Sequence, residues 1–400
     1  MENRLKLMKF FKSTMIFTGL WRLKLTDNCF LRSLYLLYSV AIQVLFSLMF
    51  FGSLGNISEA ISNDDFPGII DNIWFSLLTV LICIKLLMWQ RKSFANLILN
   101  GIAEEQRLYM EESINIQDTF ENNYKIVKHF ILLAFGCTSA SGFLVWVCDT
   151  IKYFQYRSLN DTEVKPMMTL HVRYPLNRNK YFFETYILSL SSTLTGAIYC
   201  TISQVYFIVL TAFVISQLKV IKRLARDFHL STESNFNEEE ALTAIRNIYN
   251  KHLYVIRFVH EVNLDIKYLI LADCMVNSII IAFLIVQVLF VTTSLSSLMF
   301  YVAVSCTVLS QIFIISWFAN EIEVMSTSIS DALFESHWWE QTEKVKRVIS
   351  IIMMRSRKPL RIMIGPFYPL TIQTALNSLR AAYSYVTLIF AISTRNTMHV

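Results

Sequence analysis

The last long apolar stretch, residues 365–393, carries a polar side chain at nearly every turn of a predicted helix. Gln373, Asn377, Arg380, Ser384 and Thr387 follow one another at steps of four, three, four and three residues. This spacing places them on one helical face. Because polar groups inside a membrane are costly unless they face protein or water, the stripe predicts a helix that lines an aqueous path. The alternative is a bundle helix whose polar groups bond to neighbouring helices.

The composition is typical of a polytopic membrane protein, because 54% of the residues are apolar and only 16% are charged. The net charge of +6 is concentrated in alternate polar segments, which argues against nucleic acid as a partner and for membrane lipid. The seven cysteines form no CxxC pair, so no structural metal site and no cofactor are predicted.

Apolar runs predict an all-α polytopic membrane protein with seven transmembrane helices. A basic, amphipathic segment at 1–33 suits either the inner membrane surface or an ordinary soluble helix. Residues 34–320 hold spans one to six, with a loop at 53–68 and a bend at 292–297 between spans five and six. Residues 321–366 form a cytosolic segment, 367–394 form span seven and 395–400 form the tail.

The distribution of Lys and Arg predicts the orientation of these spans. Segments on the side of the N-terminus hold 27 of these residues, and segments on the opposite side hold seven. By the positive-inside rule the N-terminus is cytosolic and the C-terminus is extracellular. The glycosylation sequons at Asn56 and Asn160 both fall in segments predicted to be outside.

Motifs for other functions are absent from the sequence. It contains no phosphate-binding loop, no HExxH and no GxSxG, so an enzyme is not expected. It also lacks the Asp/Glu-Arg-Tyr and Asn-Pro-x-x-Tyr motifs of G-protein-coupled receptors, whose orientation would be the reverse. Five spans without charges argue against ion-coupled transport.

The segment from Ser336 to Phe390, about 55 residues, resembles the C-terminal signature of insect odorant receptors. The matching pieces are Ser336-His337-Trp338-Trp339, Lys346-Arg347, Arg357-Lys358-Pro359-Leu360, Gly365, Phe367, Pro369-Leu370-Thr371, Thr374 and the run from Ser378 to Tyr385. The whole-chain layout fits the same family. The Thr-Tyr ending of the related gustatory receptors is absent.

The resemblance implies an odorant-gated cation channel in the plasma membrane of a sensory-neuron dendrite. Four subunits, including a shared odorant receptor co-receptor, would contribute their seventh spans to one pore. Leu388 would be the apolar gate, although without the resemblance it would be a packing residue. Thr387 would face the ions, and Arg380 would lie at the inner vestibule. Trp338, Trp339 and the run Val345, Val348, Ile349 and Ile352 would form the main subunit contact.

The resemblance also implies a pocket for a small volatile organic ligand between spans two, three, four and six. Each of its residues could equally belong to the bundle core. The candidates are Ile73, Ser76, Leu77, Val80, Ser139, Gly142, Trp146, Leu190, Leu194, Ala197, Phe300, Tyr301 and Val304.

Two further classes share parts of this pattern. A gustatory-type receptor would keep the fold and the pore but form homotetramers without the co-receptor. A membrane scaffold that is not a channel would keep the bundle but give the polar stripe no purpose.

Overall fold

Helices make up most of the chain in a computed structural model of the protein. The structure describes residues 7–21, 28–62, 66–111, 114–158, 172–174, 181–228, 238–291 and 295–397. The helices are α1 (Leu7–Phe17), α2 (Cys29–Ser62), α3 (Phe66–Trp89), α4 (Lys92–Glu111), α5 (Ile114–Ser158), α6 (Phe182–Arg226), α7 (Glu238–Val286), α8 (Leu295–Glu335), α9 (Glu343–Ser356) and α10 (Ile372–Thr397). The predicted all-α polytopic membrane architecture is confirmed, with a short antiparallel pair of strands, β1 (Met363–Ile364) and β2 (Tyr368–Pro369), added to it.

Six helices among the described residues are long and apolar enough to cross a membrane. They are α2, α3, α5, α6, α7 and α8. Helix α10 takes the place of the predicted seventh span, and its 26 residues reach about 39 Å, more than the roughly 30 Å of hydrocarbon. The polar stripe makes it less apolar than the other six.

Helix α6 forms the centre of the bundle, because α5 and α8 pack closely against it and α2, α3 and α7 also contact it. Its 45 residues span about 68 Å, roughly twice the thickness of the hydrocarbon. The uncharged run predicted to continue beyond the membrane is therefore one helix, and it ends after a basic turn that includes Arg223 and Arg226.

The basic N-terminal helix α1 packs on protein along its apolar face. Leu7, Met8, Phe11 and Met15 are buried, and α1 packs against α4 and α6. The Glu105 carboxylate accepts hydrogen bonds from the backbone N–H groups of Leu7 (2.9 Å) and Met8 (3.2 Å). A carboxylate at a helix N-terminus satisfies free N–H groups and complements the helix dipole. Helix α1 is thus an amphipathic helix whose apolar face packs on its own chain.

The loop predicted at residues 53–68 is wrong at both ends, because α2 continues to Ser62 and α3 begins at Phe66, and residues 63–65 lie outside the described residues. Glycine and acidic residues indicated a loop, but Gly55 lies within α2, and Gly52, just before the predicted loop, serves close packing. The backbone N–H of Arg173 donates to the carbonyl of Gly52 (3.1 Å), and a Cβ on Gly52 would lie 2.5 Å from the Arg173 carbonyl oxygen. Asn56 consequently lies on a helix, and Asn160 lies outside the described residues.

The segment 172–174 continues inward from this contact to Tyr174. The Tyr174 hydroxyl lies 2.6 Å from the hydroxyl of Ser192 on α6. Burial raises the pKa of Tyr174, which keeps this phenol neutral. The segment thereby joins α2 to α6.

The strand pair joins α7 to α10. The Asn263 side chain on α7 accepts from the N–H of Met363 (2.9 Å) and donates to the carbonyl of Arg361 (2.8 Å). The N–H of Gly365 donates to the carbonyl of Lys267 (2.8 Å). The hairpin that leads into α10 is thus fixed to α7.

The apolar run of α9 packs inside its own chain, where α7 and α8 cover it. Val345, Ile349 and Ile352 are fully buried within the chain and Val348 is half-buried, so the three buried side chains are already covered, and the subunit contact of this segment stays a prediction. Trp339 and Met354 are among the large apolar side chains that remain exposed in this region.

Two opposite charges meet inside the bundle, which the sequence did not predict. The Lys85 Nζ atom on α3 lies 2.7 Å from a carboxylate oxygen of Asp273 on α7, and the two side chains are 7% and 11% exposed. The Asn277 amide donates to the same carboxylate oxygen (3.0 Å). Both charges lie within helices apolar enough to span a membrane.

Candidate functional site

A cavity of about 90 Å³ lies between the helices that correspond to spans two, three, four and six. Its walls are mostly apolar, with Trp74, Phe75, Phe300, Val304 and Val308 among them. Apolar walls with few polar groups suit a small organic ligand that is bound by shape and dispersion. The full lining is Met49, Trp74, Phe75, Leu78, Thr79, Ile82, Thr138, Ser141, Gly142, Val145, Thr193, Gly196, Ala197, Cys200, Phe300, Val304, Thr307, Val308 and Gln311.

Four of the thirteen residues predicted for the pocket line this cavity: Gly142, Ala197, Phe300 and Val304. The others lie on neighbouring faces of the same helices. Two are buried but do not line the cavity: Ser76 and Tyr301. Four are half-buried: Ile73, Leu77, Val80 and Leu190. Three are exposed on the outside of the chain: Ser139, Trp146 and Leu194.

The predicted and the observed cavity-lining faces differ by a rotation about the helix axis. On α3 the lining face runs through Trp74, Phe75, Leu78, Thr79 and Ile82, whereas the predicted face began at Ile73. The segment is apolar on nearly all sides, so its sequence contains little periodicity that could fix the rotation. The deeper residues Cys200 and Gln311 were missed, although a glutamine in an apolar helix was a signal that could have indicated them.

The polar stripe lies on an uncovered face of α10. Gln373, Asn377, Arg380, Ser384 and Thr387 are all exposed, and so is Leu388. The Gln373 amide donates to the Asn377 side-chain oxygen (3.2 Å), and the Ser384 hydroxyl donates to the carbonyl of Arg380 (3.1 Å). The hydrogen bonds described for the stripe therefore remain within α10 and leave its outer side open.

The opposite face of α10 consists of small residues and packs on α7 and α8. Ala375 and Ala382 are fully buried, and Thr374 and Ser378 are nearly so. Ala375 and Ala382 belong to one buried apolar cluster that also contains Trp74, Phe300 and Val304 from the cavity wall. The cavity and α10 are therefore parts of one packed unit.

Comparison with known proteins identifies the family of the chain. The sequence profile of the family described as 7tm Odorant receptor matches residues 65–383, which is more than three quarters of the chain. The chain belongs to the odorant receptor family. This odorant receptor is similar to Odorant receptor 10 of Aedes albopictus, with 28% identity over 187 residues that cover 46% of the chain and 48% of the relative.

A second relative matches a longer part of this odorant receptor. The putative odorant receptor 92a of Drosophila melanogaster is 23% identical over 292 residues, which cover 72% of the chain and 68% of the relative. The chain spans about half the length of the Aedes relative and of Odorant receptor Or2 from Anopheles gambiae, to which it is 24% identical.

The fold of this odorant receptor is similar to that of a solved insect olfactory receptor, OR5 from Machilis hrabei. A structure of OR5 in complex with eugenol superimposes with a TM-score of 0.76 at 12% identity and covers 96% of this chain and 97% of that one. A second OR5 structure gives a TM-score of 0.73 at 14% identity. The likeness covers the whole bundle, including the polypeptide that forms the cavity and α10.

Proposed function

We propose that this odorant receptor is the ligand-tuned subunit of an odorant-gated, non-selective cation channel in the plasma membrane of sensory-neuron dendrites. A small volatile organic molecule binds in the cavity, and α10 lines the pore. The receptor assembles into a heterotetramer with odorant receptor co-receptor subunits. Membership of the family and the likeness to OR5 support this class of function.

The exposed polar stripe on α10 is the observation that carries the proposal. Five polar side chains on one face of a membrane helix would be costly against lipid, because the hydrocarbon offers them no hydrogen bonds. The small residues on the opposite face already pack on α7 and α8. Assembly of several subunits around a water-filled axis brings the stripe into contact with water.

Gating follows from the apolar cluster that joins the cavity to α10. A ligand that pushes against Trp74 or Phe300 acts on side chains in the same packed cluster as Ala375 and Ala382. Binding opens the channel only to the extent that the ligand prefers the open arrangement, at about 1.4 kcal/mol for each tenfold preference. Leu388, which is exposed on α10, is positioned to form an apolar ring that closes a narrow neck by excluding water.

The first experiment is whole-cell recording from cells that express this chain with and without an odorant receptor co-receptor, against a panel of volatiles. We expect odorant-evoked cation current that requires the co-receptor. Current from this chain alone would contradict the tuned-subunit assignment. No current under either condition, with surface expression verified, would contradict the channel itself.

A second experiment tests the position of α10 with two serine residues of one helix. Ser384→Cys places a thiol on the exposed face, and Ser378→Cys places one on the buried face. We expect a water-soluble, positively charged thiol reagent to reduce current through the Ser384→Cys channel and to leave the Ser378→Cys channel unchanged. Equal sensitivity of the two variants would contradict a pore on the striped face.

A further inference from the structure

The hydroxyl groups of the cavity wall already donate their hydrogen atoms to backbone carbonyl groups. Thr79 donates to the carbonyl of Ser76 (2.9 Å), Thr193 to that of Ser189 (2.8 Å), and Ser141 to that of Thr138 (2.9 Å). Thr307 donates to the carbonyl of Ala303 in its own helix (2.9 Å) or to that of Cys137 on α5 (3.1 Å). Each hydroxyl has one hydrogen, so toward the cavity these groups offer mainly lone pairs.

Gln311 differs from these groups because its amide nitrogen carries two N–H donors, and the acceptor that this nitrogen contacts is a weak one. It is the one amide side chain among the described residues that line the cavity, and its residue is 4% exposed. The Gln311 Nε2 atom lies 3.7 Å from the sulfur of Cys200, and the Nε2 atom of Gln204 lies 3.6 Å from the same sulfur. A thiol sulfur is a weak acceptor, and here it is shared by two amides.

We propose that the cavity is selective for small, mainly apolar molecules with a carbonyl oxygen, which accepts a hydrogen bond from Gln311 Nε2. The oxygen replaces a poor N–H···S contact by a good N–H···O bond in a site shielded from water. A hydrocarbon of the same shape leaves the Gln311 amide in its contact with the Cys200 sulfur. This inference rests on the cavity of the proposed function and adds the chemical class of the ligand.

The test compares two molecules that differ by an oxygen atom against a methylene group, 2-hexanone and 2-methyl-1-hexene. The full-length receptor, with its co-receptor in lipid nanodiscs, is heated with increasing concentrations of each, and the rise in the unfolding temperature gives the apparent affinity. We expect the ketone to bind about tenfold more tightly, as a net hydrogen bond of about 1 kcal/mol or slightly more implies.

Substitutions then assign this preference to Gln311. Gln311→Met keeps the length of the side chain without the amide, and we expect it to abolish the difference between the two molecules. Gln217→Met is the matched control, since Gln217 is a buried glutamine of α6 that lies outside the cavity lining, and it should keep the difference.

A second variant keeps the proposal open to refutation if Gln311→Met does not fold. Cys200→Ser places a stronger oxygen acceptor beside the Gln311 amide, so the ketone should lose most of its advantage although Gln311 is intact. Equal binding of the two molecules, binding of neither, or a preference that survives both variants would overturn the proposal. Because this readout is binding, a receptor that binds selectively but passes no current would refute the channel function alone.

Discussion

The ion pair between Lys85 and Asp273 leads to a prediction about stability. At 2.7 Å, and with an effective dielectric constant of about 20, the attraction between the two charges is about 6 kcal/mol. Much of this offsets the cost of removing both groups from water, so the intact pair contributes little net stability. The consequence appears when one partner is removed, because the other charge then remains buried and uncompensated.

The two single substitutions should differ in cost. Lys85→Met leaves the short Asp273 side chain buried in the interior of α7, 13 residues from its end at Val286, with the Asn277 amide as its remaining described contact, and should cost about 3–5 kcal/mol. Asp273→Asn leaves an ammonium group on a flexible side chain, four residues from the end of α3 at Trp89. That group can move toward the interface, so we expect a smaller cost.

The double variant Lys85→Met/Asp273→Asn should recover most of the loss, because it leaves no buried charge at this position. The assay is thermal unfolding of the detergent-purified protein, monitored by size-exclusion chromatography with fluorescence detection. Surface expression of each variant is measured as well. Glu59→Gln is the control, since its ion pair with Arg173 (3.5 Å) is exposed and should contribute under 1 kcal/mol. A stable Lys85→Met variant, or a double variant as unstable as the sum of the two singles, would refute this account.

Three other substitutions test features of the fold and the pore. Glu105→Gln replaces the carboxylate that accepts hydrogen bonds from the first amides of α1. It should lower the stability of α1 by about 1 kcal/mol, seen as faster hydrogen exchange in that helix. Gly365→Ala should lower stability by about 1–2 kcal/mol in thermal unfolding, because Gly365 has φ of +55° in the turn before α10. Arg380→Gln should raise single-channel cation conductance, because it removes a positive charge from the exposed stripe.

Matched variants separate these effects from general damage. Glu104→Gln changes the neighbouring carboxylate, which pairs with Arg107 rather than α1, and should leave exchange in α1 unchanged. Gly136→Ala lies in the interior of α5 with open space around the new methyl group, so it should stabilise slightly. If either control behaves like its partner, or if Arg380→Gln leaves conductance unchanged, the corresponding explanation fails.

The sequence predicted the number and position of the helices well, because long apolar runs and charged segments determine where a chain can cross a membrane. It also predicted that the polar residues of α10 share one face, since their contrast with the apolar residues fixes the phase of the helix. The same reasoning failed for the face of α3 at the cavity, where apolar residues on both sides give no contrast. Lys85 and Asp273 could not be paired from the sequence, because their contact depends on how α3 and α7 pack.

The separation of these two residues along the chain has a consequence for synthesis. About 190 residues lie between Lys85 and Asp273, so at about 5–20 residues per second the lysine is made roughly 10–40 seconds before its partner. During that interval α3 is in the membrane with an unpaired ammonium group one turn from its end. We expect α3 to hold this group at the interface at first and to shift along its axis when α7 arrives. Insertion of this receptor would therefore include a late repositioning of a helix that had entered the membrane early.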